Sequence, residues 1–429
     1  MSDPKNLADS YSNLVTQMGT SRDKSSYSRF LPNPDIPAAE LDAMYEQDAM
    51  SARIVDRLPD DATREEVFLT GTDERVDFAS VQSQLEDLDA VGRLSEAWKW
   101  ARLYGGALVL MVVNDGKTMD MPLDLADATK LASLQVLEKP FLTPDGFNAG
   151  MGARAFRNPE HYTMLVPFGS SKVRKIHRTR VIRFDGVQVP NTRLVQRGGW
   201  GPSVLDRVHV ELTQLGDVMG YSRHIMHNIS LMVFKLEGFR AMLCGGPQQK
   251  AQAAEIIESL VTNADTLHAT GLDTSDELVE VSRSVSGVTD LMDQFIAALV
   301  RASGMPRVVL LGEQPGGQNA SADSEIRTWF DFVASQQRLV LTPALNRLLT
   351  VIFRIRGNDG EVVPDEWTVN YSPLWQPTEL EKADTLLKRS QAASLLLDQG
   401  VLQVEQVEAD LVSAGLITET EAPADDGET

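Results

Sequence analysis

Two triplets, His177-Arg-Thr179 and His268-Ala-Thr270, each place a histidine two residues ahead of a threonine. Together they offer a pair of imidazoles able to act as general acid and base on a phosphodiester. Their settings differ: Arg178-Thr-Arg-Val-Ile-Arg183 is a basic, strand-like run, whereas Gly271-Leu-Asp-Thr-Ser275 is a turn. Acid–base work requires both rings to face one cleft, so geometry decides this reading. A second feature is Gly312-Glu313-Gln314-Pro-Gly316-Gly317-Gln318-Asn319, which has the glycine spacing of a phosphate-cradling loop and follows the apolar, strand-like run Val308–Leu311. The chemistry of such a loop is missing. Gln318 and Asn319 stand where a phosphate-binding lysine and a magnesium-binding hydroxyl are required, and no Lys or Arg occurs from Val308 to Ile326. His224 and His227 lie one helical turn apart, yet no carboxylate or cysteine pattern completes a metal site. We therefore assign no catalytic, cofactor or metal residues. The loop offers neutral hydrogen-bonding amides and cannot neutralise phosphates.

That loop reads as mobile and hangs between two helices. Val288, Leu291, Met292, Phe295, Ile296, Leu299 and Val300 recur at helical steps, and Gly304 with Pro306 stops their helix at about Ser303. Beyond the loop, a helix from about Ala322 carries Ile326, Trp329, Phe330, Val333 and Val340. Pro343 is expected to kink or restart it for Leu345, Leu348, Leu349 and Ile352.

Upstream, Ala39 to Leu58 reads as an amphipathic helix or pair closed by Pro59-Asp-Asp61, with a new helix starting at Thr63-Arg-Glu-Glu. Val81 to Tyr104 is helical, ended by Gly105-Gly106, and Ala107 to Val113 is a buried strand. From Leu134 to Gly199 the texture is β, with strands at 133–138, 162–167, 173–176 and 181–184. Pro202-Ser203 opens a long helix reaching about Asn228. Strands at 231–236 and 277–282 flank a helix at 247–262, forming a small α/β insert. Short strands at 361–364 and Trp367–Tyr371 rejoin the first sheet, and Thr378-Glu-Leu-Glu381 caps a helix running to about Gln399, followed by another at 404–414.

With 429 residues, 42% of them hydrophobic, the chain can bury a large core. Asp and Glu outnumber Lys and Arg by 61 to 40, a formal charge of −21 that argues against tight DNA gripping and leaves guiding without gripping open. Cys244 is alone, which excludes an intrachain disulfide and favours a reducing compartment. No apolar run reaches the roughly 18 residues of a membrane helix, and residues 1–5 lack a signal pattern, so no membrane association is expected.

Five pieces carry a resemblance. They are the Ala302-Ser-Gly-Met-Pro306 to Asn319 region with its following aromatic helix, Tyr45 to Glu66, Ala97 to Gly106, Gly201-Pro-Ser-Val-Leu205, and Pro373-Leu-Trp-Gln-Pro-Thr-Glu379. Their order is similar to that of tailed-bacteriophage portal proteins, the head-to-tail connectors, in a subfamily first described as phage-associated proteins of unknown function. The resemblance implies an α+β, portal-like fold: a mixed α/β wing, a long-helix stem, a small α/β clip insert, a tunnel loop and a helical C-terminal crown. Mapped on this chain, residues 1–28 are an N-terminal arm and 29–200 the wing, completed by 356–376. The stem helices are 201–228 and 287–303, the clip 229–286, the tunnel loop 304–324 and the long wing helix 325–355. The crown is 377–416 and the acidic tail 417–429. It further implies a homo-oligomeric ring, usually twelve-fold, at one capsid vertex of the virion, made in the host cytoplasm. Double-stranded DNA would pass transiently through its channel past Gly312, Glu313, Gln314, Gly316, Gly317, Gln318 and Asn319. Terminase large subunit, a head–tail adaptor and the major capsid and scaffold proteins would be its partners. The H-x-T pair instead resembles two-histidine phosphoesterases, among them a phage-encoded nuclease of immune cyclic nucleotides. A cyclic-nucleotide hydrolase is thus one alternative, and a non-portal structural virion protein another.

Overall fold

The structure, a computed structural model, describes residues 35–73, 75–147, 159–165, 173–227, 230–235, 244, 246–255, 258, 277–282, 288–312, 319–355, 364, 366–375, 383–384, 387–392 and 394. Expectations for the arm, most of the crown and the acidic tail fall outside them.

The first helices form a pair, α1 (Ala38–Gln47) and α2 (Ala49–Thr63), divided at Asp48, whose carboxylate accepts hydrogen bonds from Met50 N and Ser51 N as an N-cap. Pro59 does not close α2 as expected; it lies inside the helix. Proline has no N–H for the carbonyl four residues back, and its ring crowds that turn. Arg102 resolves the conflict. Its Nε donates to Val55 O at 2.9 Å, so the carbonyl that Pro59 leaves without a helical donor finds a partner across the core, and its Nη2 donates to the adjoining Ile54 O at 2.6 Å. Burial pushes the Arg102 guanidinium pKa down to about 10, the nearby Asp56 opposing that shift.

The expected helix start at Thr63 is also corrected. Thr63 ends α2, its hydroxyl bonding back to Pro59 O, and Val67–Gly71 forms strand β1. Helices α3 (Phe78–Asp87) and α4 (Ala90–Tyr104) replace the single helix read over Val81 to Tyr104, broken where Asp89 takes φ 49°. Strand β2 (Gly106–Asn114) lies centrally in a sheet of order β3-β2-β7, with β3 at Lys130–Glu138 and β7 at Val181–Asp185. Its side chains divide by strand period. Ala107, Val109 and Met111 join the main core under α4, while Leu108 and Leu110 face a second core with Leu142, Tyr162, Ile176 and Trp200. The second core is completed by a sheet of β4 (Leu142–Phe147), β5 (Pro159–Leu165) and β6 (Val173–His177).

Backbones meet closely where α4 passes into β2. A Cβ on Gly186 would lie 2.4 Å from Gly105 Cα, and one on Gly105, at φ 84°, would lie 2.2 Å from Gly201 O. The Tyr-Gly-Gly and Gly-Pro-Ser pieces are therefore two sides of one junction.

After a short α5 (Asn191–Gln196), α6 (Leu205–His227) runs out for about 35 Å at 1.5 Å per residue. Strands β8 (Ser230–Lys235) and β9 (Glu277–Ser282) pair antiparallel beyond it, and α7 (Val288–Ser303) returns packed along α6. Residues 247–255 are helical, as expected. The run Val308–Leu311 is a correction: Arg307–Leu311 is a helical turn, α8, and not a strand. Pro306 presets its first turn, Leu310 N bonds to Pro306 O, and Val309 and Leu310 are both buried, so packing outweighs β-branching.

Helix α9 (Asn319–Gln336) begins earlier than the expected Ala322 and passes without a stop through a π-helical segment, Gln337–Leu341, into α10 (Thr342–Ile355). The wider π turn accommodates Pro343, which cannot donate to the preceding turn. Strand β10 (Trp367–Tyr371) pairs antiparallel with β1, Val67 opposite Tyr371, so it forms a separate two-stranded sheet rather than rejoining the central one.

Candidate functional site

Gly312 is the last described residue before the loop, with φ 75° closing α8. Glu313, Gln314, Gly316, Gly317 and Gln318 lie outside the described residues, and Asn319 opens α9. The phosphate-loop reading required a strand before the glycines, and α8 removes it.

Both shoulders of the loop rest on one element, α2. On the near side, Arg53 Nε donates to Val309 O at 3.0 Å. A Cβ on Gly312 would lie 3.5 Å from Arg53 Nη2, so the guanidinium packs beside the turn into the loop. On the far side, the buried Trp329 indole donates to Asp61 Oδ2 at 2.7 Å, and Gln337 Nε2 donates to Ala62 O at 2.8 Å. Arg57 Nε stands 3.0 Å from the same Asp61 carboxylate, and Arg64 lies over the Phe330 ring at 5.0 Å. Sequence reasoning found Trp329 and missed Arg53 and Asp61. The signal for these was present in Arg53, Arg57 and Asp61 at four-residue steps, polar groups sharing one helix face beside the apolar stripe of Ile54, Val55 and Leu58.

The H-x-T residues have other work. His177, buried at the end of β6, holds Thr179 Oγ1 at 2.8 Å through Nδ1, and that nitrogen also accepts from Thr179 N. Thr179 Oγ1 accepts from Leu123 N, and His177 N donates to Met119 O, so the triplet fastens the segment between β2 and β3. The His161 ring meets His177 edge-on with centroids 5.2 Å apart. Burial, with His161 and Arg178 adding to it, pulls the His177 pKa below the ordinary imidazole value. The same segment is anchored by a buried pair, Arg180 Nη2 to Asp115 Oδ2 at 2.6 Å. Burial acts to raise the Asp115 carboxyl pKa, but Arg180 and the backbone N–H groups of Asp124 and Lys117 hold it below its usual value. His268 and Thr270 lie outside the described residues, as do the side chains of His224 and His227. Among the described residues no group of three His, Cys, Asp or Glu is placed to hold a metal, and no helix is long and apolar enough to cross a membrane.

Comparison with known proteins adds four findings. A Caulobacter protein named "Anti-CBASS protein Acb1" is 28% identical over 90% of this chain, but the chain spans only 62% of that relative's length. An uncharacterized Haemophilus influenzae protein is 23% identical over 97% of this chain and 92% of its own. Among solved structures, a chain from "Neck of empty GTA particle computed with C6 symmetry" superposes with a TM-score of 0.51 at 16% identity, covering 90% of this chain and 96% of that one. The family profile described as phage portal protein matches residues 39–395, which takes in both shoulders of the loop, the α6–α7 pair and the central sheet: the chain belongs to the phage portal protein family.

Proposed function

We propose that the protein assembles into a ring, twelve-fold by family resemblance, forming the channel at one capsid vertex through which double-stranded DNA is packaged and ejected. The observation that carries this beyond family membership is the α6–α7 pair. It leaves Val210, Met219, Tyr221 and Leu291 exposed, with Tyr221 67% accessible. Apolar side chains on a long projecting element call for cover, and neighbouring copies in a closed ring supply it. The loop between α8 and α9 would then contact DNA weakly through Gln314, Gln318 and Asn319. An overall charge of −21 favours sliding over retention. Terminase large subunit, the head–tail adaptor and the capsid and scaffold proteins are the partners of this role, and the virion its place.

The portal works without hydrolysing nucleotide or phosphodiester itself. This is supported by the absent lysine of the glycine loop and by the fastening of His177 and Thr179 into the fold. The name of the Caulobacter relative describes a longer protein and does not transfer here. Electron micrographs of purified protein test the ring: particles with a central hole, many times the 47.2 kDa chain in mass, are expected. A strictly monomeric species at micromolar concentration across salt conditions overturns it. Turnover of a cyclic oligonucleotide that disappears in His177→Ala would overturn the non-enzymatic part.

A further inference from the structure

We infer that Arg53 is the positioning residue of the glycine loop, acting through α8, and that α2 is the ruler holding both of the loop's shoulders; the consequence for DNA rests on the portal reading. The loop and its flanks from Val308 to Ile326 carry no Lys or Arg, yet the fold brings Arg53 to the loop's first residue from a segment far away in sequence. Helix α8 ends within one turn, so its last carbonyls have no intrahelical donor. Leu310 N and Gly312 N are already committed, to Pro306 O and Val308 O. Arg53 Nε takes the carbonyl of Val309. A cation at a helix C-terminus also suits the helix dipole.

The guanidinium packs beside Gly312, with Nη2 and Nη1 at 3.5 and 3.7 Å from where a Cβ would stand. Gly312 is required for its positive φ of 75°, and the arginine packs at van der Waals distance beside that turn. Along the same helix, Asp61 receives the Trp329 indole and Ala62 O receives Gln337. Residues eight apart on an α-helix share a face and are separated by about 12 Å. The spacing between the start of the loop and the middle of α9 is thus fixed by a rigid element outside both. Arg102 supports that element where Pro59 interrupts it, because its Nε satisfies Val55 O, the carbonyl left without a helical donor.

Lysine does not replace arginine in this role. A single ammonium has no planar fork with which to donate to Val309 O while covering Gly312.

The test uses hydrogen exchange on the assembled full-length protein, comparing wild type, Arg53→Ala, Arg53→Lys and Arg53→Gln, alongside DNA retention. Loss of a charge-assisted hydrogen bond predicts exchange at residues 309–312 faster by about tenfold or more in Arg53→Ala and Arg53→Lys. Exchange in β2 and the mass of the assembly should stay as in wild type, a pattern that general destabilisation does not produce. Wild-type exchange at 309–312 in Arg53→Lys and Arg53→Gln overturns the inference, and these two carry the test if Arg53→Ala does not fold. Faster exchange with unchanged DNA retention leaves Arg53 as the positioning residue and removes the DNA-contacting role of the loop. If the wild type retains no DNA while Arg53 variants still loosen α8, the portal reading fails and the positioning stands.

Discussion

Helices α10 and α6 differ in what covers their apolar side chains. In α10, Ala344, Leu345, Leu348, Leu349, Val351, Ile352 and Phe353 are all buried within this chain, on more than one face. Helix α6 is longer, yet among its described side chains only Leu205, Val208 and Leu215 are buried, while Val210, Met219 and Tyr221 stand in solvent. Buried positions on α6 crowd toward its first half, where it leaves the body, and exposed apolar ones continue outward. One helix is covered by its own chain and the other keeps apolar side chains in solvent, the surface that the proposed ring would cover.

The largest effects should come from the finished side. Trp329→Ala removes a buried indole beside α2 and leaves Asp61 with Arg57 but without its indole donor, with an expected loss of about 3–5 kcal/mol by denaturant unfolding. An effect below about 1 kcal/mol would show that the anchoring of α9 to α2 is not part of the core. Next comes the cap of α2. Asp48→Ala leaves Met50 N and Ser51 N without their acceptor and should cost about 1 kcal/mol, with Asp48→Asn recovering most of it.

A smaller effect is expected from acid. The folded-state pKa of His177 is depressed by burial below an unfolded value near 6.5. Its contribution is fully present above that value, and is lost as pH falls toward the folded pKa, because only the unfolded chain takes up the proton. Between pH 7 and 5 the thermal midpoint should therefore fall more steeply in wild type than in His177→Gln, and equal slopes would contradict this. The smallest change in stability, within about 0.5 kcal/mol, is expected for Val210→Ser and Tyr221→Ser on α6. The comparison is sharpened if these same variants lose assembly by light scattering while Trp329→Ala loses folding; normal rings from the double variant would break it.

What could be read in the sequence follows the range of the interactions involved. The continuous apolar run of β2, the glycine stop after α4, the long α6 and the strands β8 and β9 have strong local patterns and matched expectation. Strand β1 escaped because its partner, β10, lies almost at the other end of the described chain. Helix α8 reads as a strand because Val308, Val309, Leu310 and Leu311 have strand-like types, and only burial between α2, α7 and α9 shows otherwise. Of the candidate loop, the glycine turn at Gly312 was legible. Arg53 was not recognised, since its partner is a main-chain carbonyl, which leaves no mark on residue identity.

The meeting of Pro59 and Arg102 has a consequence for descent. Replacing Pro59 alone would return an N–H to α2 that competes for Val55 O, leaving a buried guanidinium short of an acceptor. Replacing Arg102 alone would leave Val55 O, which Pro59 deprives of a helical donor, without a partner in the core, and would strip Ile54 O of its second donor. Either step passes through a poorer molecule, whereas the two together restore an ordinary helix beside an apolar side chain. Among relatives the two positions should therefore be inherited or exchanged as a unit, a proline in one helix keeping company with an arginine in another.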